Sequence, residues 1–463
     1  MTFSLRRPYD LLRRAIRKTI SRFVHSAPKP KPADTRPAEP EPAPQEKSVY
    51  QQLTPALTKP LDSNGQYWWQ TSGNLLAALL TDAGYTIPSQ QQILTFFANT
   101  IVPHLGPTYT PSSPQWPSFM TDDHHPIELS WDWHTGHKAP TVRFSIEPVG
   151  IHAGTPADPN NEQADPSFRQ ALLNALPQTD TTWFTHFDQH LSPPTPSGVM
   201  EGHRSKIFYA FDLTGTSITS KAYFFPGFKA RESGQTNIEV IRDAISTAPE
   251  PQITTGQLAS LEIFEDFIND PLTPALEIDM LALDMDAPSL SSRLKIYFRN
   301  RDTSFGSVRR MMTLGERVSG SEMEVGLQKL RALWDALLDQ DGVSDLEPLP
   351  EAGSSHGHRT GGMLYNVELR AGAAPKVKIY IPVRHYARCD GVVVEVVHGV
   401  MPADRGQGSQ GEGRNGSGSR PERGKPEALQ QRGIHTYVGC SVQSGGELRV
   451  VSYLNGQGQK MVR

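Results

Sequence analysis

Three stretches of the chain place a basic side chain two residues before a tyrosine: Lys221-Ala222-Tyr223, Lys295-Ile296-Tyr297 and Lys378-Ile379-Tyr380, the second preceded by Arg293. In an extended strand alternate side chains share a face, so each stretch presents cation and phenol to one side while Leu294, Ile296, Ile379 and Ile381 face the other. A cation on an inward face needs a partner, because an unpaired ammonium in a low-dielectric interior is costly. For one such stretch, an ion pair with an inward carboxylate is the simpler explanation. Repetition on separate strands, with few acids at matching inward positions, favours a multiply charged anion instead, and diphosphate suits such a cluster best. Arg143 would join it. Tyr223, Tyr297, Tyr380, Tyr437 and Tyr453 all fall at strand positions. Each alone would simply fill a strand; together beside a diphosphate, their faces would stabilise a carbocation by about 0.5–2 kcal/mol each and exclude quenching water.

Phosphate sites often recruit Mg²⁺ through carboxylates or a Gly-rich loop, but the sequence has neither a Walker-type loop nor a DDxxD stretch. Asp122-Asp123-His124-His125-Pro126 has poor spacing for a metal and reads as a polar turn. Neutralisation by Arg and Lys makes metal unnecessary for the chemical step, so no metal ligand and no cofactor is expected beyond the diphosphate co-substrate.

Positioning these residues requires hairpins, and the chain supplies five strand pairs: 127–133 with 141–148, 206–213 with 221–226, 276–285 with 293–299, 363–369 with 377–383, and 435–442 with 448–454. Helical spacing separates them, clearest at Met323, Leu327, Leu330, Trp334 and Leu337, and two amphipathic helices over residues 67–104 precede them, split near Gly84 and Pro88. Ten antiparallel strands can close into a barrel without edges and with an open lumen, ringed by helices. The expected fold class is α+β, a ten-stranded antiparallel barrel of five hairpin-plus-helix repeats.

The chain has 463 residues, 45 basic and 49 acidic side chains and 37% hydrophobic residues, an ordinary globular composition without a nucleic-acid footprint. Two cysteines, Cys389 and Cys440, are too few for a disulfide framework, and no apolar run is long enough to span a bilayer, which suits the cytoplasm. Residues 1–47 stand apart: a basic amphipathic pattern followed by a Pro-rich stretch, read as a disordered extension with organelle targeting or peripheral membrane contact as the alternative. Residues 48–463 would form the barrel domain. Within it, the Gly/Arg/Gln/Ser-rich segment 401–426 stands where the repeat calls for helices; a flexible insertion is one reading, and an altered reading frame or retained intron the preferred one.

These residues, together with Tyr67-Trp68-Trp69, the run Pro126-Ile127-Glu128-Leu129-Ser130-Trp131, the run Lys221 to Pro226 and Gly433-Ile434-His435-Thr436-Tyr437, resemble the fungal dimethylallyl tryptophan synthase family of aromatic prenyltransferases. The resemblance covers roughly residues 48–400 and 433–455 and implies the same ten-stranded barrel. It implies that Glu128 is the catalytic carboxylate that grips the acceptor's N–H or O–H, with Met120 beside the acceptor. It further implies Arg143, Lys221, Arg293, Lys295 and Lys378 as diphosphate ligands and the five tyrosines as the cation shield. The implied reaction is transfer of a dimethylallyl group from dimethylallyl diphosphate to an electron-rich ring, an indole alkaloid or polycyclic phenol, in secondary metabolism. Two positions depart from the family pattern. Phe208 stands where tryptophan C4-prenylating members carry a proton-transferring lysine, with Lys206 displaced by one pleat, and Gln443 stands where relatives often place a basic residue. The rival reading is a non-catalytic or inactivated diphosphate-binding barrel. A hydrolase lacks an identifiable nucleophile. Oligomeric state is not readable.

Overall fold

Alternation of the strand segments decides the architecture. In this computed structural model, which describes residues 47–110, 113–133, 139–192, 202–350, 358–399 and 427–456, ten strands close into one antiparallel barrel in which each strand pairs with its neighbours in sequence and the last pairs with the first. They are β1 (Ile127–Asp132), β2 (Thr141–Ile146), β3 (Ile207–Thr214), β4 (Ser217–Phe224), β5 (Glu277–Asp284), β6 (Arg293–Asn300), β7 (Met363–Arg370), β8 (Lys376–Ile381), β9 (His435–Val442) and β10 (Leu448–Asn455). The five expected hairpins are all present, with β4 starting four residues earlier than its sequence pattern suggests. Most of the basic N-terminal extension and all of segment 401–426 lie outside the described residues. The junction that segment put in question is nonetheless closed: β8 and β9 pair from Lys378 opposite Ser441 to Ile381 opposite Val438.

The barrel is apolar outside and polar inside. Leu294, Ile296, Phe298, Ile379 and Ile381 are fully buried in the hydrophobic layer between sheet and helices, as are Phe144, Phe211 and Phe224 on neighbouring strands. Burying each such side chain is worth about 1.5–3 kcal/mol, so the outer ring of helices holds the register that points the polar set inward. The helix Ser321–Leu338 covers β9 through Leu327, Leu330, Trp334 and Leu337, close enough that a Cβ added at Gly326 would lie 2.5 Å from Val442. The helices expected over residues 67–104 are present as Ser63–Trp68, Asn74–Asp82 and Ile87–Phe96, with Thr86 capping the last of them and Pro88 in its first turn. Among the described residues, no helix is long and apolar enough to cross a membrane.

Candidate active site

Each even strand brings a cation to the same end of the lumen: Arg143 on β2, Lys221 on β4, Arg293 and Lys295 on β6, Lys378 on β8 and Arg449 on β10. The odd strands bring acids to that end: Asp132 on β1, Asp212 on β3, Asp284 on β5 and Glu368 on β7. Pairing is across the register. Arg143 lies opposite Asp212, Lys221 opposite Asp284 and Lys295 opposite Glu368. The ion pairs include Arg143 Nε to Asp212 at 2.7 Å, Lys221 to Asp212 at 2.6 Å, Arg293 to Asp284 at 2.8 Å and Lys295 to Glu368 at 3.6 Å, while the fully buried Asp132 takes both Arg143 and Arg449. The expectation of few inward acids is therefore corrected: four of them partner the cations, as the desolvation cost of lone buried charges requires.

The alternation breaks at β9. Opposite Lys378 stands Ser441, and the ammonium instead donates to Tyr453 Oη at 3.0 Å and sits 4.4 Å above the Tyr380 ring. Arg370 on β7 and Lys376 on β8 also line this end, Arg370 sharing Glu368, so the cations outnumber the four acids and an anionic group of more than one charge would cancel the excess. Burial, opposed by Asp132 and reinforced by Arg143 and Arg449, pushes the Lys378 ammonium down to about 7. Burial and the neighbouring Lys221 push Lys295 down to about 8. Asp212 is held well below the usual carboxylate range by Lys221 and Arg143, whose charges overcome its burial.

One turn further along the lumen lies a tyrosine layer. Ring centroids are 5.7 Å apart for Tyr223 and Tyr297, 5.8 Å for Tyr297 and Tyr380, 5.5 Å for Tyr380 and Tyr453 and 6.4 Å for Tyr380 and Tyr437. Asn366 donates to the Tyr380 hydroxyl at 2.8 Å, and Tyr380 and Tyr297 hydroxyls lie 3.3 Å apart. Burial raises all five phenols, so the layer stays neutral and presents ring faces.

At the opposite end, Glu128 faces the lumen and accepts from Thr436 Oγ1 at 2.6 Å. Burial, opposed by that hydrogen bond and reinforced by the charges of Asp122 and Asp123, pushes Glu128 up to about 8. A β9 irregularity lets both Thr436 and Tyr437 line the lumen, and Asp390 fixes the strand's start by accepting from the backbone N–H groups of Ile434 and His435. Met120 lines the lumen in an apolar wall with Phe119, Phe208, Phe225 and Met280. Phe208 occupies the lumen position expected of it; Lys206 turns away, 3.9 Å from Glu162. The whole cavity is about 280 Å³.

Asp122 through Pro126 form the expected turn, with His124 and His125 each against a backbone carbonyl oxygen. Asp122 has another company: its carboxylate, His358 and His385 lie within 4.8 Å of one another and could hold a divalent cation. Their atoms also converge on the Thr360 hydroxyl, at 2.7 Å from Asp122, 2.8 Å from His385 and 2.9 Å from His358, a network complete without an ion. Burial is overcome by His385, whose Nε2 lies 2.9 Å from the Asp122 carboxylate, by the Thr360 bond and by Arg384, which together hold Asp122 down to about 2. The structure brings the five expected cations, on β2, β4, β6 and β8, and Glu128 on β1 into one lumen, and adds Arg449, Thr436 and the four acids, which sequence reasoning missed; alternate-residue spacing from Arg449 to Tyr453 was the signal for the first.

A model of the tryptophan dimethylallyltransferase family matches residues 64–413. The 4-O-dimethylallyl-L-tyrosine synthase of Claviceps purpurea is 35% identical over 394 residues, covering 84% of this chain and 87% of that one. The 7-dimethylallyltryptophan synthase of Aspergillus fumigatus is 34% identical over 362 residues, covering 74% and 75%. Among solved structures, AnaPT from Neosartorya fischeri superposes with a TM-score of 0.69 at 23% identity over 89% of this chain and 98% of that one, and NotF in complex with brevianamide F and DMSPP with 0.66 at 20% identity over 87% and 97%. Both likenesses show the barrel fold. From the family match, the two curated relatives and the inward cation and tyrosine layers, it follows that this chain belongs to the tryptophan dimethylallyltransferase family and is an aromatic prenyltransferase that uses dimethylallyl diphosphate.

Proposed function

We propose that the acceptor is an aromatic amino acid, of the tyrosine type first and the tryptophan type second, prenylated between the tyrosine layer and Glu128. The observation that carries this reading is the two-ended lumen, with surplus positive charge at one end and, at the other, Glu128 held by Thr436 with no cation paired to it among the described residues. The two curated relatives named above act, by their names, on tyrosine and tryptophan, which supports an acceptor of that size. Phe208 in place of a lysine argues against tryptophan C4 chemistry and for a route in which Glu128 alone handles the proton.

In this reading the diphosphate lies against Lys378, Lys295, Lys221, Arg293 and Arg143. The C1–O bond breaks with its electron pair leaving on the diphosphate, whose charge the surplus cations stabilise. The allylic cation forms under Tyr223, Tyr297, Tyr380, Tyr437 and Tyr453, which offer π faces and no nucleophilic water. The acceptor's oxygen or ring carbon supplies the pair for the new bond, and the O–H or ring proton passes to Glu128. An N–H or O–H donor against Glu128 favours its ionised form, and a group poised near neutrality suits proton acceptance. Arg and Lys do the neutralising, so the chemical step proceeds without a metal ion. The barrel domain spans residues 48–463, and the two free cysteines suit a reducing cytoplasm.

The test is purified protein with dimethylallyl diphosphate, EDTA and a panel of tyrosine, tryptophan, cyclic dipeptides, indoles and polycyclic phenols, read by mass spectrometry. Tyrosine or tryptophan should gain one dimethylallyl mass. Product only from cyclic dipeptides or polycyclic phenols overturns the amino-acid reading, and strict dependence on Mg²⁺ overturns the Arg/Lys account.

A further inference from the structure

The lumen face of β6 does not end with Tyr297. Arg293, Lys295, Tyr297 and Arg299 share it, so the strand carries cations on both sides of the tyrosine layer. Four residues of strand separate Lys295 from Arg299 by about 13 Å, which puts Arg299 beyond reach of a diphosphate held at Lys295. It belongs to the end where Glu128 stands.

Arg299 is only 2% exposed, and its hydrogen bonds are incomplete. Nη1 donates to the carbonyl oxygens of Thr360 at 3.0 Å and Gly361 at 3.3 Å and the guanidinium also reaches the Tyr437 hydroxyl, whereas buried Nε has no hydrogen-bond partner, Asp279 lying 3.9 Å from it. A buried unpaired donor costs stability, a cost that an acceptor arriving in the lumen at Arg299 would relieve. Asp279 reaches the lumen for a specific reason. The β5–β6 register shifts between Ile278 and Met280, and the bulge lets Asp279 and Met280 both line the cavity although they are adjacent in sequence. Arg359 holds Asp279 at 2.7 Å while Arg299 Nε lies 3.9 Å from the same carboxylate, so the acid is shared between two guanidinium groups and Nε keeps a donor for an incoming anion.

We propose that Arg299 is a specificity-determining residue that anchors a carboxylate carried by the aromatic acceptor. This rests on the amino-acid reading above. An amino-acid acceptor supplies the carboxylate that two guanidinium groups sharing one aspartate call for; a neutral polycyclic phenol would leave Arg299 Nε unpaired.

The experiment compares L-tyrosine with tyramine, and L-tryptophan with tryptamine, on the wild type, Arg299→Gln and Arg299→Lys. The wild type should favour the carboxylate-bearing member of a pair by about 10- to 100-fold in kcat/KM, the range expected for one charged hydrogen-bonded contact. Arg299→Gln should abolish that preference by raising KM for the amino acid alone, leaving KM for dimethylallyl diphosphate unchanged, and Arg299→Lys should restore part of it. Equal losses for both members in Arg299→Gln would overturn the proposal in favour of a structural arginine. So would a wild type indifferent to the carboxylate, a measurement that stands even if the variants fail to fold. Turnover of neither pair, with cyclic dipeptides or phenols accepted, would overturn the amino-acid reading itself and this proposal with it.

Discussion

Binding of the diphosphate should be coupled to proton uptake, because the free site holds two of its ammonium groups at depressed pKa values. Lys378 sits at about 7 and Lys295 at about 8, each lowered chiefly by burial. A bound diphosphate restores favourable surroundings for both cations, so the complex holds them protonated while the free site loses them as pH rises. Affinity therefore falls with rising pH through this window, opposite to the trend expected from ligand ionisation. From about pH 8 to pH 9 the protonated fraction falls roughly ninefold for Lys378 and roughly fivefold for Lys295, so affinity should fall roughly 50-fold. Phosphate's second ionisation lies near 6, so the ligand's charge is constant over that interval. Calorimetry with a non-ionising analogue of dimethylallyl diphosphate, in buffers of differing ionisation enthalpy, reads both affinity and protons taken up. In Lys378→Met the pH effect should shrink to roughly fivefold. A pH-independent affinity, or the same slope in Lys378→Met, would refute the reasoning.

Replacing Glu128 by Gln should leave diphosphate affinity within about twofold and cut acceptor turnover by about 10²- to 10³-fold, the scale of losing a positioned proton acceptor, checked by separating analogue binding from steady-state rates. Tyr380→Leu should raise the share of dimethylallyl alcohol over prenylated product, seen by chromatography, because one cation-facing ring worth about 0.5–2 kcal/mol is lost and water gains room. A Cβ added at Gly439 would lie 2.8 Å from Lys378 Cε and 3.2 Å from the Tyr453 ring, so Gly439→Ala should raise KM for dimethylallyl diphosphate while leaving acceptor KM unchanged.

The hairpins and the inward cation and tyrosine stripe were legible because strand alternation needs only local spacing, and Leu294 and Ile379 facing the helices follows from the same rule. The acids were not legible as partners because each meets its cation from the neighbouring strand: Asp284 opposite Lys221 and Glu368 opposite Lys295 are register facts that spacing within one strand does not contain. Bulges hid more. Asp279 and Thr436 reach the lumen only through local register shifts in β5 and β9, which invert the face that alternation assigns. Asp122 read correctly as part of a turn, yet its partners His358 and His385 come from more than 230 residues away in sequence.

A structure of the chain with a non-ionising dimethylallyl diphosphate analogue and L-tyrosine tests the central claim most directly. The account predicts the diphosphate against Lys378, Lys295 and Lys221, the allylic carbon within the ring of Tyr297, Tyr380 and Tyr453, and the phenol hydroxyl on Glu128. A diphosphate seated at the Glu128 end, or an acceptor ring outside the barrel, would contradict it.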